Sequence, residues 1–213
     1  MATPIMTIQK VREPLWPAII AMLADALINF ALPSRLSVGP RWLLVTVIFV
    51  LLIPLVFNYR RGRHDIARML SFAALGIITV ALIGSLGLLI EGLPSHKDPP
   101  RTLLASAALL WLTNVLVFAL WYWKLDAGGP IGRAEPDARS AFLFPQMMGH
   151  PEEDPAWSPM FLDYLFLAFN TSTAFSPTDT AVLARWAKVL MMLQSVISLT
   201  TIALLAARAV NIL

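Results

Sequence analysis

Residues 69–90 read MLSFAALGIITVALIGSLGLLI, twenty-two positions without one ionisable side chain. At 1.5 Å per residue a helix of that length covers about 33 Å, enough to cross the hydrocarbon of a bilayer. In lipid each backbone N–H and C=O must be paired within its own segment, so the stretch is predicted to be a helix. Similar stretches lie on either side. Residues 102–123 are as long, residues 17–32 and 42–57 are sixteen positions each, and residues 189–207 lie near the C-terminus. The sixteen-residue stretches reach only about 24 Å and span where flanking residues help or the bilayer thins. Pro17 suits a first helical turn, and Leu32-Pro33 closes that helix. The predicted fold is an all-α polytopic membrane protein. It has five full spans, plus residues 160–175 as a re-entrant half-helix or a short sixth span, halted by Ser176-Pro177.

The composition agrees. Of 213 residues, 58% are hydrophobic and 14% charged, where a soluble domain carries about 25% charged. No room is left for a separate soluble domain. Two parts are expected: a three-span bundle over residues 1–101 and a second helical module over residues 102–213. Residues 1–14 are polar and no small-residue cleavage site follows the first apolar run, so that run reads as a retained helix. The chain has no cysteine, which excludes disulfides, c-type haem attachment and thiolate-held iron–sulfur clusters. Its three histidines, His64, His96 and His150, fall in predicted loops, so no span offers a ligand for b-type haem. Neither a cofactor nor a metal is expected. A net charge of +3 without a long basic patch suits anionic lipid head groups and speaks against nucleic acid. Nucleophile elbows, phosphate-cradling loops and His-Glu-x-x-His are absent from the sequence, so enzyme activity is not expected.

Charge sets the orientation. With the N-terminus inside, Lys10, Arg12, Arg60, Arg61, Arg63, Arg68, Lys124, Arg133 and Arg139 fall inside, against Arg35, Arg41, Lys97 and Arg101 outside. The expected location is the cell membrane, multi-pass, in a bacterial inner membrane. Trp121-Tyr122-Trp123 reads as an interfacial aromatic belt. The long connection, residues 124–159, is rich in Gly, Pro and acid, and its apolar residues 141–148 suit the membrane surface.

Polar residues inside the spans are the candidates for function. Asp25 is the one ionisable residue deep in a predicted span, and Asn29 shares its helix face. The pair suits a proton or cation path, or a structural hydrogen bond. Thr113 and Asn114 suit helix-to-helix bonding or pore lining. Gln194, Ser198 and Thr201 recur at helical spacing and form a polar stripe, either a wet pore wall or a packing face. Gly84, Gly87 and their small neighbours mark residues 69–90 as a close-packing helix. Glu152, Glu153 and Asp154 are an acidic loop cluster without the spacing of a metal site.

One stretch carries a family resemblance. Residues 164–179 read YLFLAFNTSTAFSPTD, followed by Ala184-Arg185 and a helix with Ala207-Arg208 near its end. Phe169, Thr171, Thr173 and Asp179 fall at offsets similar to those of the pore module of the two-helix potassium-channel family. The resemblance covers the C-terminal half and makes residues 102–123 the outer helix. It implies that Thr171, Thr173, Ser176, Pro177, Thr178 and Asp179 line a filter-like mouth and that several copies assemble around an axis. The sequence departs from the family at the filter. Ala174-Phe175-Ser176-Pro177-Thr178 replaces Thr-Val-Gly-Tyr-Gly, losing both glycines and fixing one φ by proline. The segment from Asp179 to Arg185 is also shorter than the family's. Family pore helices dip in from outside, whereas the charge count puts the long connection inside.

The leading expectation is therefore a channel-like membrane protein without a potassium-selective filter, passing monovalent cations non-selectively as a homo-oligomer. The alternative is a non-conducting structural or assembly subunit that binds lipid or another membrane protein. A third reading is a proton-coupled transporter using Asp25.

Overall fold

The computed structural model describes residues 13–92, 99–135, 138–148, 157–177 and 179–210. The protein is helical. In chain order its helices are α1 (Trp16–Ala31), α2 (Arg41–Arg60), α3 (His64–Gly92), α4 (Pro100–Leu125), α5 (Gly129–Gly132), α6 (Pro145–Met148), α7 (Phe161–Thr173) and α8 (Arg185–Val210). A two-stranded antiparallel ribbon joins β1 (Phe142–Leu143) to β2 (Ala181–Val182). Four helices, α2, α3, α4 and α8, are long and apolar enough to cross a membrane, and α1 is a shorter apolar helix of 16 residues.

The helices outrun the apolar stretches. α2 continues to Arg60 and α3 begins at His64, because charged residues suit a helix end, where their heads can leave the apolar surface. His64 is thus the first residue of a helix and not part of a loop. His96, His150 and the acidic run Glu152, Glu153 and Asp154 lie outside the described residues.

Small residues let the helices approach. Ala18, Ala21 and Ala26 of α1, Ala74, Ala81 and Ser85 of α3, Ala107 and Ala119 of α4, and Ala168 of α7 are all buried. One close approach needs glycine. A Cβ on Gly84 would stand 2.5 Å from Cγ2 of Val38, which the α1–α2 turn presses against α3. The large apolar side chains point outward instead, among them Phe49, Val50 and Ile53 of α2, Val80 of α3 and Met192 and Val196 of α8. A soluble protein inverts this pattern.

α1, α2, α3 and α4 run alternately up and down, so one end of the bundle gathers the start of α1, the α2–α3 turn and the end of α4. Arg60, Arg61, Arg63, Arg68, Lys124 and Arg133 lie there, and α8 starts there with Arg185 and Lys188. At the opposite end Arg41 donates from Nε and Nη2 to the carbonyl oxygen of Leu32, at 2.8 and 2.5 Å, and caps α1. A single apolar core runs through both parts of the chain, from Ala18 to Ile197.

One sequence reading is refined here and another corrected. The stretch 141–148 is not exposed as a whole: Met148 is, while Phe144 is buried. Phe142 is fully buried and meets Tyr122, Tyr164 and Trp186 edge-on, while β1 anchors the segment to β2. Nor are Tyr122 and Trp123 a lipid-facing belt. Both are buried, because each polar tip has a partner inside the bundle: Gln194 for Tyr122 and Glu13 for Trp123.

Candidate functional site

α7 is a half-length helix with an unusual course. Its first turn lies at the basic end, where the Phe161 N–H donates to Glu13 and the Tyr164 hydroxyl donates to Asp126. The Asp163 carboxylate accepts from the Met160 N–H at 2.7 Å, closing the N-terminus. Its last turn reaches only midway along its neighbours, where Ser172 meets Asn114 of α4 and Gln194 of α8. There the chain turns. The helix ends at Thr173, ahead of the expected stop at Ser176-Pro177: the Ala174 N–H bonds back to the Asn170 carbonyl at 2.8 Å and Phe175 adopts φ +53°. A left-handed conformation costs a bulky side chain about 1–2 kcal/mol, and it is what redirects the backbone here. The return segment runs down beside α8 to β2, so it re-emerges at the end where α7 began.

Most polar residues of this region bond to one another, while Asn114 Oδ1 and Asn170 Nδ2 are buried without a partner among the described residues. The Tyr122 hydroxyl donates to Oε1 of Gln194 at 2.5 Å. Gln194 Nε2 donates to the Ala168 carbonyl and to Ser172 Oγ, both at 2.8 Å. Asn114 Nδ2 donates to the Gln194 carbonyl at 3.3 Å, and Ser198 Oγ to the Ser172 carbonyl at 2.6 Å. Trp111 Nε1 donates to Ser198 Oγ at 3.1 Å. Gln194, Ser198 and Thr201 are fully buried within one chain. The stripe they form on α8 is turned inward.

The filter-like residues divide. Thr171 is buried and donates to the Leu167 carbonyl at 2.8 Å. Thr173 is exposed, its hydroxyl donating to the Phe169 carbonyl of its own helix at 2.9 Å. Ser176 and Pro177 are half-buried and Asp179 is exposed. All three edge a surface groove between the return segment and α8, floored by Met191, Ser195 and Val196. Thr178 lies outside the described residues. The outer face of α7 is apolar: Leu162, Phe166 and Phe169 are exposed.

A second buried network locks this unit to the basic end, and sequence reading missed it. Arg133 Nη2 meets Glu13 Oε2 at 2.8 Å. Arg133 Nη1 donates to the Trp123 carbonyl at 2.6 Å, and its guanidinium lies 5.0 Å from the Tyr164 ring centroid. Glu13 also accepts from Trp123 Nε1 at 2.7 Å. Asp126 is fully buried and accepts from Tyr164, Ser140 and the Ala141 N–H, at 2.5, 2.8 and 2.5 Å. The turn at Gly128-Gly129-Pro130 brings Arg133 back beneath Trp123, and a Cβ on Gly132 would collide with the Ala127 carbonyl oxygen. Gly128-Gly129 is the legible part of that device. The pairing of residues more than a hundred positions apart is not.

Asp25 is fully buried, and neither carboxylate oxygen meets a hydrogen-bond donor among the described residues. The structural hydrogen bond expected for it is therefore absent there. Its surroundings are Leu44, Ile78, Leu82, Leu110 and Thr113, around a space of about 10 Å³, room for one water at most. Asn29 accepts instead from Ser37 at 3.2 Å. Among the described residues no three His, Asp or Glu side chains gather as a metal site.

Comparison of the chain with protein-family models, with curated proteins and with solved structures finds no match.

Proposed function

We propose that this chain is a non-conducting structural or assembly subunit of the cell membrane. In this reading α1 joins α2, α3, α4 and α8 as a fifth, short span, and α7 is a re-entrant half-helix entering from the basic, inward-facing end. The observation that carries it is the fate of the polar side chains beside that half-helix. Asn114, Ser172, Gln194 and Ser198 bond to one another inside the chain, while the outward face of α7 is Leu162, Phe166 and Phe169. A conducting wall needs the opposite, polar groups facing a wet axis and apolar groups within. The outward apolar faces then meet lipid or another membrane protein.

The test is reconstitution of the purified chain into liposomes with a cation-flux readout, paired with cross-linking in native membranes. The expected result is flux no greater than in protein-free liposomes, with cross-links to one dominant foreign partner. Cation flux that Asp179→Asn reduces would overturn it.

A second reading, non-selective cation conduction by a homo-oligomer, is favoured by one feature. The order of long helix, half-helix, extended return and long helix is that of a pore module, and Thr173 and Asp179 stand exposed on the return side. In that case cross-links would form between copies through residues 164–208.

A further inference from the structure

The basic end holds a cavity of about 270 Å³ that neither reading uses. It lies between α1, α2 and α3, and Pro130 and Ile131 of α5 close it from the connection side. Its floor is apolar, built by Ala18, Met22, Leu52 and Leu55. Its mouth is not: Tyr59, His64, Arg68 and Lys124 line it. The Arg68 guanidinium and the Lys124 ammonium flank one ring, 5.8 and 5.6 Å from the Phe72 centroid. Neither has a carboxylate within ion-pair distance among the described residues, although Asp65 also lines the cavity. The neighbouring Arg133 is already neutralised by Glu13. His64 Nδ1 is buried and has no hydrogen-bond partner among the described residues.

Arg68 and Lys124, without an ion-pair partner among the described residues, and the His64 imidazole thus stand over an apolar well. A free inorganic anion would leave the well unused. A neutral hydrocarbon would leave the cations unused, and a zwitterionic head brings no net charge to them. The volume lies just below the usual small-molecule range of roughly 300–1,000 Å³, which suits one chain rather than two. Basic pockets between spanning helices on the inward side are where anionic lipid heads bind. We propose that this cavity binds one acyl chain bearing an anionic head group. The head lies between Arg68, Lys124 and His64, and the chain lies along Met22, Leu52 and Leu55. A free fatty acid shares this chemistry with a bilayer phospholipid that seats one of its two chains here and leaves the other in the bilayer.

Native mass spectrometry of the purified full chain, titrated separately with phosphatidylglycerol, phosphatidylcholine, oleate and inorganic phosphate, tests it. One phosphatidylglycerol or one oleate should be retained, and neither phosphatidylcholine nor phosphate. Retention of phosphatidylglycerol alone identifies a bilayer lipid as the source, and of oleate alone a free fatty acid. The double variant Arg68→Gln/Lys124→Gln keeps both aliphatic stems and should weaken retention about tenfold or more. Ala18→Leu should weaken it by filling the well without touching charge. Arg61→Gln removes a guanidinium stacked 4.0 Å from the Phe57 ring at the same end and should change nothing. Equal retention by the double variant, equal binding of phosphatidylcholine, or binding of phosphate that no acyl compound displaces would overturn the proposal.

Discussion

Glu13 and Arg133 stand 120 positions apart and meet at 2.8 Å with their side chains 7% and 5% exposed. Through this pair the entry to α1 is tied to the turn that follows α4, and Trp123 and Phe161 tie α4 and α7 to the same carboxylate.

Removing one partner of a buried ion pair leaves the other charge without compensation, at about 3–5 kcal/mol. Arg133→Gln should therefore lower the thermal unfolding midpoint in detergent more than any exposed arginine substitution, for example Arg61→Gln. Glu13→Gln keeps an acceptor for Trp123 but strands the Arg133 guanidinium, which cannot shed its charge, and should cost at least as much. The double variant Glu13→Gln/Arg133→Gln should lose less than the two single losses added, because no charge is left stranded. Additive losses would show that the two groups do not act as a pair.

Gln194 joins α8 to both α4 and α7 through three side-chain hydrogen bonds. Interhelical hydrogen bonds in membranes are worth about 1 kcal/mol each. Tyr122→Phe should therefore lose about 1 kcal/mol, and Gln194→Leu more, since it removes all three bonds and strands the buried Tyr122 hydroxyl. Tyr122→Phe on the Gln194→Leu background should recover part of the loss, because it removes the stranded hydroxyl. Chemical denaturation in mixed micelles reads all three. A Gln194→Leu variant as stable as the parent would mean that water replaces the network.

The spans were legible because lipid tolerates few charges, so residues 69–90 and 102–123 could hardly be anything but helices. The turn ahead of Pro177 was legible too, since proline cannot continue a helix. What α7 does between those landmarks depends on partners far away in sequence. Asn114, Ser172 and Gln194 are polar residues on separate segments, and nothing in their local context says that they meet. The aromatics misled for a similar reason. A belt tryptophan and a buried one have the same neighbours in sequence, and Trp123 is buried only because Glu13 reaches its indole nitrogen. The position of Asp25 could be read, but its lack of a donor among the described residues could not.

Gly84 is predicted to be the least replaceable glycine of α3. Its Cβ site lies 2.5 Å from Cγ2 of Val38, whereas Gly76 and Gly87 meet nothing within 4 Å. Overpacking of this kind costs about 1–3 kcal/mol. Gly84→Ala should lower the unfolding midpoint, Gly76→Ala and Gly87→Ala should not, and Val38→Ala should restore most of the loss to Gly84→Ala. Failure of Val38→Ala to rescue would place the conflict elsewhere.

The course of α7 makes a sidedness prediction that the naturally cysteine-free chain is suited to test. Arg61 lies in the α2–α3 turn at the basic end, and Asp179 on the segment that returns to that end. Ser34 lies in the α1–α2 turn at the opposite end. Single variants Arg61→Cys, Asp179→Cys and Ser34→Cys can be labelled in sealed vesicles with a membrane-impermeant maleimide. A half-helix that enters and leaves by one face puts the first two on the same side and the third on the other. If α7 crossed the bilayer instead, Asp179→Cys would label together with Ser34→Cys. The chain from residue 174 would then reach α8 from the far face. That outcome would also break the β1–β2 pairing, because Phe142 is held at the basic end by its contacts with Tyr122 and Tyr164.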